Sequence, residues 1–71
     1  MIVKVHKIHW EGRHTASGKT IDLEVTDTDC VVTKVTHSCA DWAIGEYWHR
    51  VSSWFEHKGA TVTLGEETTN K

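Results

Sequence analysis

The chain has 71 residues and a formal net charge of −2, with 38% hydrophobic and 25% charged residues. So short a chain forms one domain at most and buries only about 60% of its unfolded surface, which leaves a thin core. The weak negative charge excludes a strongly basic nucleic-acid-binding protein, and no apolar run approaches the roughly 18 residues that a membrane span needs.

The first predicted element is a strand at residues 2–10 whose alternation changes phase along its length. Val3 and Val5 fall on one side, whereas Ile8 and Trp10 fall on the other. We therefore expect either a bulge near residues 6–7 or a strand whose two halves contact different neighbours.

Two more strands follow, at residues 20–26 and 30–37. The first is the cleanest in the chain, because Ile21, Leu23 and Val25 alternate with polar residues. The second is rich in β-branched side chains, and the sequence Asp-Thr-Asp between the two strands predicts a turn.

A helix is predicted from an N-cap at Ser38 to a stop at Gly59. Asp41 places an acid in the first turn, and Lys58 places a cation in the last turn. Between them an apolar stripe recurs every three or four residues, formed by Ile44, Tyr47, Trp48, Val51 and Phe55.

The C-terminal part predicts a short strand at residues 60–64 and a flexible tail at residues 65–71. The element order is therefore β-β-β-α-β. We expect a single α+β domain over residues 1–64, in which a three- to four-stranded, mostly antiparallel sheet carries one amphipathic helix on one face.

The loop "GRHTASGKT" at residues 12–20 resembles a phosphate-binding loop but does not meet its requirements. Five residues, and not four, separate Gly12 from Gly18, and the segment that follows has the period of a strand where a phosphate site needs a helix. We interpret the loop as a hairpin connection with glycines at turn positions.

The first hairpin joins segments of opposite charge. Residues 1–19 carry four cations and one anion, a net charge of +3, whereas residues 20–29 carry four anions. The simplest interpretation is attraction between paired strands. The alternative is an anion- or RNA-facing edge that uses Lys4, Lys7, Trp10, Arg13, His14 and Lys19.

The cysteines and histidines give only weak indications of chemistry. Cys30 and Cys39 are too few for a disulfide framework, and together with His37 they lack the paired spacing of a zinc site. A thiol at the start of a helix can be an activated nucleophile, but Asp41 lies in the same turn as Cys39. We predict free thiols, no metal, no cofactor and no catalysis.

Three tryptophans six residues apart, Trp42, Trp48 and Trp54, are the most informative feature of the sequence. A spacing of six turns each indole by about 240° on a helix, so one sheet cannot bury all three. We expect Trp48 in the core and Trp54 at the margin of the helix. Trp42 either packs on His37 as a capping staple or forms an exposed patch.

These features predict a small non-enzymatic protein that acts through protein–protein interaction as a homodimer. Such a protein is an inhibitor, adaptor or accessory factor of the kind that phages and mobile elements carry. The expected partner-binding residues are Trp42, Glu46, His49 and Trp54. Because Lys4 and Lys7 interrupt any signal-peptide core and the thiols are expected to be free, we expect a cytoplasmic location. The alternative is a nucleic-acid-binding module that uses the basic first strand and the loop at residues 12–19.

Overall fold

The computed structural model describes residues 1–69. A four-stranded antiparallel sheet in the order β3-β2-β1-β4 carries one helix, α1, so the predicted α+β fold with the order β-β-β-α-β is confirmed. The strands and the helix are β1 (Ile2–Trp10), β2 (Ile21–Thr28), β3 (Val31–Val35), α1 (Trp48–His57) and β4 (Thr61–Thr69).

Strands β1 and β2 form the predicted hairpin, and their opposite charges are paired across it. Lys7 lies opposite Glu24, and His9 lies opposite Asp22 with 2.6 Å between Nδ1 and Oδ1. The loop after β1 contains a short 3-10 helix, and β2 starts where a phosphate site would need a helix. The interpretation as a hairpin connection is therefore confirmed.

The core lies between α1 and the face of the sheet that it covers. Its buried apolar side chains are Ile8, Leu23, Val25, Val32, Ala40, Ala43, Val51, Phe55 and Ala60. Three of these nine are alanines, so few large side chains hold the two layers together. Within the described chain, no helix is both long enough and apolar enough to cross a membrane.

The predicted helix over residues 39–58 is wrong in its first half. Residues Ser38–Ala43 form a 3-10 helix, and α1 starts only at Trp48. Gly45 adopts a φ of +90°, which turns the chain out of the helical path between them. Ile44 and Tyr47, predicted to lie on the apolar stripe, are consequently exposed. The predicted stop at Gly59 is correct, since α1 ends at His57 with Lys58 as its C-cap.

Residues 45–47, which precede α1 and were predicted to be helical, pair with the outer edge of β3. Tyr47 forms an isolated antiparallel bridge with Val31, and the Val32 N–H donates to the Glu46 carbonyl at 2.9 Å. The Val32 carbonyl accepts from the Gly45 N–H at 2.8 Å. These hydrogen bonds occupy part of an edge that would otherwise be open.

Strand β4 is longer than predicted. It continues to Thr69, so residues 65–69 are not the flexible tail that was expected, and residues 66–69 pair with β1. Residues 70 and 71 of that predicted tail lie outside the described residues. The register shifts between Val5 and His6 and leaves Gly65 without a partner, so the predicted irregularity occurs near residue 6 but its extra residue belongs to β4.

Candidate functional site

A groove of about 500 Å³ opens beside α1 on the surface of the molecule. We call it the tryptophan groove, and it is lined by Trp42, Glu46, Arg50, Ser53, Trp54 and His57. Trp42 comes from the 3-10 helix, Glu46 from the turn, and the other four residues from α1. The groove therefore exists because the chain bends at Gly45 and brings the turn alongside the helix.

Helical spacing places one wall of the groove. Arg50, Trp54 and His57 follow one another at intervals of four and three residues, so they share one face of α1. Val51 and Phe55 occupy the adjacent buried face and anchor the helix on the sheet. The groove thus rests on a rigid element whose opposite side is fixed by the core.

Aromatic contacts hold the two indoles of the groove in place. The Trp42 and Trp54 rings meet edge to face, with 4.9 Å between centroids and an interplanar angle of 61°. Trp54 also contacts Phe55 at 5.1 Å and Trp10 at 5.7 Å in the same geometry. Because Phe55 is fully buried, this network connects the groove to the core.

Both indoles remain open to solvent although they touch each other. Trp42 is 45% exposed and Trp54 is 37% exposed. Large aromatic side chains in this half-exposed condition are enriched at protein interfaces, where burial by a partner completes their desolvation. The staple of Trp42 on His37 does not account for this position, since Trp42 has its aromatic contacts with Trp54 and Phe55.

The polar groups of the groove carry both signs of charge. Arg50 Nη1 lies 3.9 Å from Glu46 Oε2, and both side chains are exposed. Lys58 Nζ lies 5.7 Å from the centroid of the Trp54 ring, a cation–π contact at the margin of the groove. The ion pair between Glu46 and Arg50 is long and exposed, so it is held weakly and both charges are free to reorient towards a partner.

The structure brings together three of the four predicted partner-binding residues. Trp42, Glu46 and Trp54 line the groove, whereas His49 does not. The prediction placed His49 beside Trp42 because an uninterrupted helix puts residues seven apart on one face, and the break at Gly45 removes that relation. Arg50 and His57 were missed, although their spacing from Trp54 on the helix would have found them.

The residues of the nucleic-acid alternative do not form one surface. Lys7 projects from the sheet face opposite to that of Ile8, while Trp10 lies on the helix side, half buried, and its indole N–H donates to the Lys58 carbonyl. His14 lies against the turn at Gly59.

The cations of that alternative also have acidic neighbours. Lys4 Nζ lies 3.9 Å from Glu67 Oε1, and Arg13 Nε lies 2.9 Å from Glu11 Oε2. Lys19 lies in the loop just before β2. No continuous basic stripe is therefore present among the described residues.

The cysteines show no sign of activation. Both are free, and Cys30 is exposed. Burial raises the pKa of the Cys39 thiol, and the Asp41 carboxylate raises it further, so the thiol form predominates at neutral pH. The His37 imidazole Nδ1 accepts from the Cys39 backbone N–H at 3.1 Å and caps the 3-10 helix. Within residues 1–69, no three His, Cys, Asp or Glu side chains are grouped to hold a metal ion.

A second polar feature, not predicted from the sequence, lies inside the molecule. His6 Nε2 and Asp27 Oδ2 are 2.5 Å apart, and both residues are buried. The Trp48 ring stacks on His6 with 3.7 Å between centroids, and Asp27 Oδ1 accepts from the Cys30 N–H at 3.2 Å. Trp48, which was expected in the core, is thus only half buried: it packs against the edge of the apolar core and covers this polar pair.

Comparison with known proteins gives no relative. No protein-family model, no curated protein and no solved structure matches the chain.

Proposed function

We propose that the protein is a small non-enzymatic binding protein that acts through protein–protein interaction at the tryptophan groove. The observation that carries the proposal is the edge-to-face pair of half-exposed indoles, Trp42 and Trp54, on a wall anchored to the core. Interface hot spots have this composition, with Trp and Arg at a preformed concave surface.

The arrangement of charges supports a protein partner over a nucleic acid. The groove contains one carboxylate and one guanidinium, Glu46 and Arg50, which fits a surface that also carries both signs. The cations of the first hairpin are spread over different surfaces and face acids, as described above. An inhibitor, adaptor or accessory factor is the role that fits a binding groove on so small a scaffold.

A photo-crosslinking experiment tests the groove directly. A photoreactive residue replaces Ser53, which lines the groove, or His49, which is exposed on α1 outside it. In lysate of the cells that encode the protein, we expect position 53 to give a discrete protein adduct and position 49 to give none. Adducts of equal yield from both positions would contradict a groove-specific partner.

The same adduct is expected to depend on Trp42. Trp42→Ala removes a half-exposed indole, so the affinity for the partner should fall about thirtyfold, as for a hot-spot residue. Tyr47→Ala is the matched control, because Tyr47 is 61% exposed and lies outside the groove. Partner binding is measured by titration of the crosslinked yield, and circular dichroism verifies that both variants fold. If Trp42→Ala leaves the titration unchanged, the groove is not the binding surface.

A further inference from the structure

One edge of the sheet, at β3, is partly covered by another segment of the chain, whereas the other edge, at β4, is not. At β3, the segment before α1 satisfies backbone groups of Val32, and the Cys30 carbonyl accepts from the Trp48 N–H at 2.7 Å. At β4, no strand of the described chain pairs with the outer side of Thr61–Thr69. An uncovered edge presents a row of backbone donors and acceptors, which is a template for another strand.

The first half of β4 has the composition of a strand that pairs. Thr61–Leu64 is uncharged, three of its four residues are β-branched, and the whole chain contains no proline. The devices that commonly protect an edge, such as lysine or proline on the strand, are missing from this segment. Leu64 is 55% exposed although it projects from the helix side of the sheet, opposite His6.

We propose that β4 pairs antiparallel with β4 of a second copy of this chain, around a two-fold axis at Thr63, to give a continuous eight-stranded sheet. In an antiparallel pair, residues directly opposite share a face, so a two-fold axis must pass between equivalent residues. With the axis at Thr63, Val62 of each copy lies opposite Leu64 of the other. Both side chains project from the helix side, so the pairing covers the exposed Leu64.

The charges along β4 are complementary under the same symmetry. His57 and Lys58 precede the strand, and Glu66 and Glu67 follow its central part. Antiparallel pairing brings the basic end of one copy to the acidic end of the other. A parallel arrangement would place like charges together, so the sequence selects a second copy in the antiparallel direction.

The thin core gives a physical reason for assembly. Only nine apolar side chains among the described residues are buried, and small single domains commonly gain stability by oligomerisation. Because β4 and the tryptophan groove are separate surfaces, this inference does not depend on the proposed function.

Sedimentation equilibrium over a range of concentrations tests the dimer. The full chain is expected to show the mass of two copies, and Leu64→Lys is expected to raise the dissociation constant by about tenfold or more, since it breaks two cross-strand contacts. Ile44→Lys is the matched control, because Ile44 is 51% exposed and lies beside the opposite edge of the sheet. A monomer at every concentration, or equal weakening by both variants, would overturn the proposal.

Residue 63 gives a test of the symmetry itself. Thr63→Lys and Thr63→Glu each place like charges opposite each other at the axis, so each variant alone should dissociate. An equimolar mixture of the two variants should recover the dimer, because each axis then carries one charge of each sign. The mixture should recover the dimer only if residue 63 of one copy lies opposite residue 63 of the other. If the mixture stays monomeric while the wild type is a dimer, the strand pairs in a different register or the dimer forms elsewhere, and the proposal fails.

Discussion

At the scale of single residues, two His–Asp pairs of nearly the same length lie in opposite environments. His6 and Asp27 are buried under Trp48, whereas His9 and Asp22 lie exposed on the other face of the sheet. An exposed pair exchanges one set of hydrogen bonds for another with water and gains little. A buried pair is different, because loss of one partner leaves the other without a hydrogen bond and without water.

The two pairs predict unequal effects of the same substitution on stability. Asp27→Ala should lower the free energy of unfolding by about 3 kcal/mol, since it leaves His6 unpaired inside the protein and removes the acceptor of the partly buried Cys30 N–H. Asp22→Ala is the matched control and should cost less than about 1 kcal/mol. Urea denaturation followed by tryptophan fluorescence measures both. Equal costs would show that burial does not govern the contribution of the His6–Asp27 pair.

At the scale of elements, local signals predicted the strands well and the helix only in part. Alternation identified β2, and the glycine after Lys58 marked the end of α1. The start of the helix could not be found locally, because the polar residues at 38–41 also begin a 3-10 helix, and the N-cap of that helix is His37 and not the predicted Ser38. The 3-10 helix cannot continue into α1 because Glu46 and Tyr47 pair with Val32 and Val31 of β3, which are distant from them in sequence. The extent of β4 was missed for the same reason, since its acidic half is a strand only through its pairing with β1.

The candidate site was predictable to the extent that it depends on composition. Exposed tryptophan on a polar helix indicated Trp42 and Trp54, and both line the groove. The error at His49 follows from the helix error, because the relative position of residues 42 and 49 depends on the bend between them. The groove could therefore be predicted only with knowledge of the backbone conformation of Gly45.

Substitution of Gly45 should change the stability in opposite directions for the helix broken at this residue, as the structure has it, and for the uninterrupted helix predicted from the sequence. At its φ of +90°, Gly45→Ala should destabilise the protein by about 1–2 kcal/mol through backbone strain. In an uninterrupted helix the same substitution would stabilise by about 1 kcal/mol. No atom outside the adjoining residues lies within 4 Å of the added Cβ, so a steric clash does not confuse the result. Thermal unfolding gives the sign, and Gly45→Asn should recover part of the loss because Asn tolerates positive φ.

At the scale of the whole molecule, the distribution of charge favours the proposed protein partner over a nucleic acid. The net charge is −2, and cations and carboxylates alternate across the sheet instead of separating into patches. Binding to a phosphate backbone requires several cations on one continuous surface, and its affinity falls steeply with salt. In the described chain, Lys4 instead pairs with Glu67 of β4, and Lys7 lies opposite Glu24 of β2.

We therefore expect no specific binding of single-stranded RNA or DNA. Fluorescence anisotropy with labelled 20-nucleotide RNA and DNA at low salt should give a dissociation constant above about 100 μM, beyond the weak end of the range for non-specific binding. Lys7→Glu and Arg13→Glu should leave this result unchanged, because neither cation belongs to a basic surface. Micromolar binding that weakens with salt and disappears in both variants would instead assign the function to the first hairpin. The crosslink at position 53 would then have to be explained by a nucleic-acid-bound complex, and the loss of that crosslink on nuclease treatment would decide the matter.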